Sequence, residues 1–136
     1  MRRKLSQYPV EVREQPAAIE RAIRSSVLVV EPDSLMRWSL VTYLSRWYRV
    51  FPADSAPSAE QTLRTQRIAA MVVSEELGLA ECDRLAAELR KGSPAARIVR
   101  VITSAREDEP TDTPCLEKPF ELSRLLALLK ERTPAA

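Results

Sequence analysis

The sequence predicts an α/β domain in which a five-stranded parallel sheet is doubly wound, with helices on both of its faces. Two observations lead to this fold class. Apolar, β-branched segments alternate along the chain with segments whose apolar residues recur at helical spacing. The strand segments are also uniformly apolar, which is typical of strands buried on both faces of a parallel sheet. With 136 residues, the chain is long enough for one such domain and a short extension.

The first half of the domain contains two predicted strand–helix units. SVLVV at 26–30 is a continuous apolar run and predicts a buried strand, which residues 31–47 follow as a predicted helix. The apolar stripe of this helix consists of Met36, Leu40, Leu44 and Trp47. YRVFPA at 48–53 predicts the second strand, and residues 55–66 predict a short helix entered through Pro57.

The second half repeats this alternation. IAAMVV at 68–73 predicts a third buried strand. Residues 80–92 predict a helix, because Leu85 and Leu89 are four positions apart and Gly92 is suited to a helix end. The remaining elements are a fourth strand at 96–103, a short fifth strand within 113–120 and a strongly apolar helix at 121–132.

Composition excludes several classes of function. No apolar stretch approaches the roughly 20 residues that span a bilayer, so we expect a cytoplasmic protein without membrane contact. The chain has no histidine and two glycines, which removes the usual proton carrier and any glycine-rich phosphate loop. We therefore expect no enzyme activity, no cofactor and no bound metal. The net charge of +2 is too small to predict direct nucleic acid contact.

Charge and patterning also divide the chain. Residues 1–25 contain six basic and three acidic residues and are predicted to be an N-terminal extension, partly helical or disordered. Residues 26–132 make up the predicted domain, and residues 133–136 a C-terminal tail. The two cysteines, Cys82 and Cys115, have no pairing or metal-binding spacing and are expected to be small buried apolar residues.

Polar side chains occur at the predicted carboxyl ends of the strands, where doubly wound sheets have their functional crevice. Glu31 and Asp33 follow the first strand, and Ser74 ends the third. Thr103 ends the fourth strand, and Lys118 follows the fifth. We therefore expect these side chains to lie at one edge of the sheet.

These segments together resemble the receiver domain of two-component response regulators, over residues 26 to about 132. VLVVEPDSLMRWSL is similar to the family's ILVVDDExxxRxxL, and EKPF is similar to its KPF signature. The Arg37–Trp38 pair is similar to receivers of the nitrogen-regulator type. The resemblance implies a flavodoxin-like receiver fold and a role in bacterial signal transduction or transcriptional regulation.

The family's chemistry can be compared with this chain position by position. In typical receivers a phosphoryl group moves from a histidine kinase to an aspartate after strand three, beside Mg²⁺ held by two acids after strand one. The resemblance places Ser74 at the nucleophile position and Glu31 and Pro32 at the two acid positions. Thr103 and Lys118 match the residues that contact the phosphoryl oxygens.

This comparison predicts a degenerate phosphoacceptor pocket with no catalytic and no metal-binding residue. Ser74 is neutral and Pro32 has no side-chain oxygen, so two of the three metal-site carboxylates are missing. Glu31 and the adjacent Asp33 are not expected to hold Mg²⁺ by themselves. Lys118 loses its usual ionic partner unless Glu31 or a neighbouring glutamate reaches it.

Two further departures affect the family's output face. Thr103 and Lys118 are only 15 positions apart, and the intervening SAREDEPTDTP contains two prolines without helical periodicity. We therefore expect the family's fourth helix to be shortened or missing. Cys115 also occupies the position of the aromatic residue that moves on phosphorylation in typical receivers, so the relay to the output face is expected to be broken.

The first and last helices carry more apolar residues than one buried face needs. Because these helices lie side by side in this topology, we predict an interaction patch between them. It consists of Leu35, Trp38, Val41, Leu125 and Leu128. The alternative is that the segment PAAIERAI, at 16–23, covers this surface within the same chain.

The leading hypothesis is a phosphorylation-independent pseudo-receiver that acts as a protein-interaction or dimerisation module. Its partner would be another signalling protein or a second copy of the chain. The alternative is a regulatory switch phosphorylated on Ser74 by a serine/threonine kinase, similar to anti-sigma-factor antagonist domains. A third possibility, an enzyme or nucleotide binder, is disfavoured by the missing glycine loop and histidine.

Overall fold

The computed structural model describes residues 25–103 and 113–130, which form one parallel sheet with helices on both faces. The strands are β1 (Ser26–Val30), β2 (Arg49–Ala53), β3 (Ala70–Ser74), β4 (Arg97–Ile102) and β5 (Cys115–Glu117). Their order in the sheet is β2-β1-β3-β4-β5, and every neighbouring pair is parallel. This doubly wound arrangement confirms the predicted fold class.

In the described residues, four α-helices connect or follow the strands. They are α1 (Ser34–Leu44), α2 (Ala56–Thr65), α3 (Leu79–Gly92) and α4 (Leu122–Lys130). A single 3₁₀ turn, Glu75–Leu77, lies between β3 and α3. Because each helix runs back toward the start of the next strand, the helices begin at the carboxyl-terminal edge of the sheet and end at its amino-terminal edge.

The sheet separates two hydrophobic cores. On one face, Leu28 and Met71 pack with Leu85 and other buried residues of α2 and α3. On the other face, Val29 and Val72 pack with buried residues of α1 and α4. The central strands β1 and β3 are buried along their whole length, as their uniformly apolar sequences predict.

Helix α1 is shorter than the sequence predicts. Its side-chain cap is Asp33, whose carboxylate accepts a hydrogen bond from the backbone N–H of Met36 at 3.0 Å. The helix ends at Leu44, so Trp47, predicted to belong to its stripe, lies in the following turn. There its ring contacts Tyr43 with a centroid distance of 5.1 Å, which keeps it on the apolar face of the helix.

Leu125 is not part of an exposed patch. It is 0% exposed because α4 packs against β4, which buries this side chain in the second core. Val41 and Leu128 are partly buried against the same core. In contrast, Leu35 and Trp38 on α1 are 70% and 64% exposed. Of the predicted patch, only Leu35 and Trp38 are therefore mostly exposed.

The prediction that both cysteines are buried is correct only for Cys82. Cys115 is exposed because β5 is the edge strand of the sheet. Within the described residues, no helix is long and apolar enough to cross a membrane.

Some predicted features lie outside the described residues. These are the N-terminal extension up to residue 24 and the end of the chain from residue 131. The position of the family's fourth helix, between β4 and β5, falls within residues 104–112, which are also outside the described part of the chain.

The different burial of two leucines predicts different costs of truncation. Leu125→Ala should lower the free energy of unfolding by about 2–5 kcal/mol, because it opens a cavity in the core. Leu35→Ala is the matched control and should change it by less than about 0.5 kcal/mol. Urea unfolding of both variants measures the difference. Equal losses would contradict the burial of Leu125.

Candidate functional site

The predicted site residues meet at the carboxyl-terminal edge of the sheet. Glu31 follows β1, Ser74 ends β3 and Lys118 follows β5, so three strand ends contribute to one crevice. The backbone N–H of Lys118 donates to the carbonyl of Ile102 at 2.7 Å, which fixes the lysine beside the end of β4. Thr103 also lies at this edge, and it is exposed.

Glu31 is a buried carboxylate at the base of the crevice, only 1% exposed. Its Oε2 accepts a hydrogen bond from the backbone N–H of Asp33 at 3.1 Å. Its Oε1 lies 3.2 Å from Nζ of Lys118. No well-directed hydrogen bond reaches Oε1, so this contact is chiefly an ion pair. A carboxylate so deeply buried depends on its cation, because an unpaired buried charge is very costly.

Lys118 is shared between two carboxylates. Besides Glu31, its Nζ hydrogen-bonds to Oε2 of Glu76, also at 3.2 Å. Burial alone lowers the pKa of Lys118, but the contacts with Glu76 and Glu31 outweigh this effect and raise the pKa above its ordinary value of 10.5. The lysine therefore does have ionic partners, and they are supplied by the chain itself.

Ser74 has a structural role at the end of β3. It is 1% exposed, and its hydroxyl oxygen accepts a hydrogen bond from the backbone N–H of Glu76 at 3.2 Å, which caps the 3₁₀ turn. Its carbonyl accepts a bond from the thiol of Cys82 at 3.4 Å. The cap orders the turn that carries Glu76 to Lys118, so the serine contributes to the site by positioning a carboxylate.

The loop between β1 and α1 is tied to the helix rather than open toward the crevice. The Asp33 carboxylate is used as the cap of α1. Arg37 Nη1 donates to the carbonyls of Glu31 and Pro32, at 2.8 and 3.3 Å. Pro32 itself is exposed and offers no side-chain oxygen. Of the three acidic positions expected in a receiver, this chain thus retains one carboxylate in the crevice, that of Glu31.

The site also contains an ion pair that sequence reasoning missed. Arg100 on β4 pairs with Glu75, and both side chains are largely buried. Burial raises the pKa of the neighbouring Cys82 thiol to about 11, although Arg100 opposes this effect. The available signal was the charged residue in the middle of RIVRVI, since an arginine in a buried strand requires a nearby acid.

These residues do not fit the Mg²⁺ that the resemblance implies. Mg²⁺ requires an octahedral set of oxygen ligands with one or two carboxylates. Glu31 is engaged by Lys118 and the Asp33 N–H, and the neighbouring positions are Pro32 and the capped Ser74. Among the described residues, no three acidic or cysteine side chains are grouped to hold a metal ion.

Solved structures with the same fold include response regulators and response regulator receiver proteins. One from Pseudomonas putida is 29% identical and has a TM-score of 0.65, with 77% of this chain and 94% of that chain covered. One from Sinorhizobium medicae WSM419 is 19% identical and has a TM-score of 0.68, with 77% and 90% covered. A third, from Burkholderia pseudomallei, contains a phosphorylated aspartic acid and a calcium ion; it is 23% identical and has a TM-score of 0.66, with 78% and 66% covered.

The chain therefore has the fold of a response regulator receiver domain. No protein-family model and no curated protein matches its sequence. The chain thus combines a receiver fold with a crevice in which Ser74 and Pro32 replace two of the expected acidic residues.

Removing the shared lysine should be strongly destabilising. Lys118→Met should lower the free energy of unfolding by about 3 kcal/mol or more, because buried Glu31 then has no cation. Adding Glu31→Gln to this variant should recover most of the loss. Lys91→Met removes an exposed pair with Glu88 and is the control, with a change below about 0.5 kcal/mol. Denaturant unfolding at neutral pH measures all four proteins.

The contribution of Lys118 should also depend on pH. Since its folded-state pKa is raised, its contribution is fully present below 10.5 and is lost as the pH rises through the folded-state pKa. The stability difference between wild type and Lys118→Met should thus change little between neutral pH and pH 10.5 and become smaller above pH 10.5. A difference that grows with alkaline pH would contradict the ion pair.

Proposed function

We propose that this chain is a signalling module of the receiver type that works without phosphorylation, as a protein-interaction or dimerisation module. The observation that carries the proposal is the bridge that Lys118 forms between Glu31 and Glu76. Such a module would act in bacterial signal transduction or transcriptional regulation. We expect its partner to be a protein, either another signalling protein or a second copy.

The state of the crevice supports the first part of this proposal. The nucleophile position holds a neutral serine that is buried and already used as a cap. Activation of a serine needs a nearby base, and the chain has no histidine to act as one. Three acidic residues at this edge, Glu31, Glu75 and Glu76, are held in ion pairs with basic residues.

The internal ion pairs also explain how the fold persists without a phosphoryl group. In a receiver the lysine after strand five is a partner for charge at the phosphorylation site. Here Lys118 forms ion pairs with two carboxylates of the same chain, those of Glu31 and Glu76. The conformation of this edge thus does not depend on an incoming charge, which favours a module with one fixed surface.

The accessible side chains of α1 support the second part. Leu35 and Trp38 are large, apolar and mostly exposed, and such groups often mark protein contacts. Their helix begins beside the crevice, where Asp33 caps it, so this edge and the exposed surface are joined through one helix. A module that keeps its fold and loses its chemistry would act through such a surface.

The alternative function, a switch phosphorylated on Ser74, is disfavoured by the burial of this residue. A kinase needs access to the hydroxyl, which is 1% exposed and bonded to the N–H of Glu76. A phosphate at this position would also lie beside the carboxylates of Glu31 and Glu76. Detection of phosphoserine 74 by mass spectrometry of protein from cells would reverse this ranking.

We expect no phosphoryl transfer to this chain. After incubation with acetyl phosphate and Mg²⁺, its intact mass should be unchanged, because the site lacks both a carboxylate nucleophile and a metal site. The Burkholderia pseudomallei response regulator with a phosphorylated aspartic acid is a suitable positive control. A hydroxylamine-labile phosphoryl adduct on this chain would overturn the proposal.

The variant Ser74→Asp should also remain unmodified in this assay. Pro32 still provides no metal ligand, and Lys118 would then face a third carboxylate in the same crevice. Phosphorylation of this single variant would show that the metal site is not the limiting defect.

A further inference from the structure

Helix α1 presents a continuous outward stripe with two different ends. Leu35 and Trp38 are exposed in its first half, Thr42 is exposed near its end, and Arg46 is exposed in the turn that follows. Leu35, Trp38 and Thr42 are spaced by three or four residues, so they lie on one side of the helix, opposite the buried Leu40 and Leu44. Arg46 follows them in the turn after the helix. The stripe is therefore apolar at one end and cationic at the other.

The described charges are also separated along the strand direction. Eight basic side chains lie at the amino-terminal edge of the sheet, against one acidic side chain, Glu88. Members of this basic edge are Arg46, Arg49, Arg64, Arg67, Arg97 and Lys130. Helix ends favour cations, which accounts for some of them, but Arg46, Arg49, Arg67 and Arg97 lie outside the helices.

The opposite edge has the opposite sign. Ten acidic side chains lie at or near the carboxyl-terminal edge, against five basic ones. Exposed members of this acidic edge are Asp33, Asp54, Glu76, Asp83, Glu117 and Glu121. The described part of the chain thus has a net charge of +7 at one edge and −5 at the other.

We propose that two copies of this chain associate through α1 in antiparallel orientation, with the two-fold axis passing near Thr42. This inference rests on the proposed function, because it names the partner of the same module as a second copy. A second copy is the expected partner because the chain carries both a basic edge and an acidic edge, which complement each other. An antiparallel pair places each acidic edge beside the basic edge of the other copy, and a parallel pair would place like charges together.

The spacing along α1 fits this arrangement. Trp38 and Arg46 are each four residues from Thr42, so an antiparallel pair places Trp38 of one copy opposite Arg46 of the other. Arg46 already lies over the rings of Tyr43 and Trp47, at 5.5 and 5.9 Å. Trp38 of the second copy would add a third ring to this cation.

The small side chain of Thr42 permits close approach at the axis. A dimer of this kind would bury Leu35 and Trp38 of both copies, which are the accessible large apolar groups of α1. Each contact occurs twice because the interface is self-complementary.

The first test is the oligomeric state of the full chain by analytical ultracentrifugation, over a wide range of concentration. We expect a monomer–dimer equilibrium that weakens between about 0.05 M and 0.5 M salt, because the edges attract through exposed charges. Trp38→Glu and Arg46→Glu should each raise the dimer dissociation constant about tenfold or more. Arg90→Glu, exposed at the same edge but on α3, is the matched control and should change it by less than about twofold.

A cross-linking test locates the axis. Thr42→Cys in a Cys115→Ser background should form a disulfide-linked dimer on mild oxidation, because the two introduced thiols face each other. Cys82 is buried with a raised thiol pKa, so it should not compete. Thr65→Cys, at the exposed end of α2, is the control and should not cross-link.

Two outcomes would overturn the inference. One is a chain that stays monomeric at low salt, as expected if another protein or another segment of the same chain covers α1. The other is a dimer that is insensitive to Trp38→Glu and that Thr42→Cys does not cross-link. Neither outcome bears on the phosphorylation assay, which tests the crevice separately.

Discussion

The bridge that Lys118 makes between Glu31 and Glu76 is the constraint on which this edge of the molecule depends. Glu31 is almost fully buried, so an unpaired charge there would be costly, and its cation Lys118 follows β5, which is paired with β4. Glu76, the third residue of the bridge, lies in the 3₁₀ turn that Ser74 caps. The ends of β1, β3 and β5 are therefore coupled through one ammonium group.

This coupling explains how the charged side chains of the altered crevice compensate one another. A serine at the end of β3 removes a charge, and a glutamate two positions later restores one at the lysine. The buried pair of Glu75 with Arg100 adds further acid–base compensation beside it. The acidic side chains of the crevice are thus paired with basic side chains of the same chain, which agrees with a module whose surface does not change with phosphorylation.

The sequence predicts the fold well because alternation of buried strands and amphipathic helices depends on local pattern alone. It also identifies Glu31, Ser74 and Lys118 as neighbours, since parallel strands end at one edge. It does not predict the contact of Glu76 with the lysine, because that contact depends on a single 3₁₀ turn. The sequence also does not predict the burial of Leu125, because apolar content does not reveal which side of a short, strongly apolar helix faces the sheet.

The small net charge of +2 does not reveal how basic and acidic side chains are separated between the two edges of the sheet. Because the fold sends helix ends and strand starts to one edge, positive and negative residues that are mixed in the sequence become separated in space. The described part of the chain consequently has a large electric dipole along its strands. An approaching charged molecule would be turned by this field before any atoms touch, so the dipole influences how fast and in which orientation encounters occur, beyond the final strength of the complex.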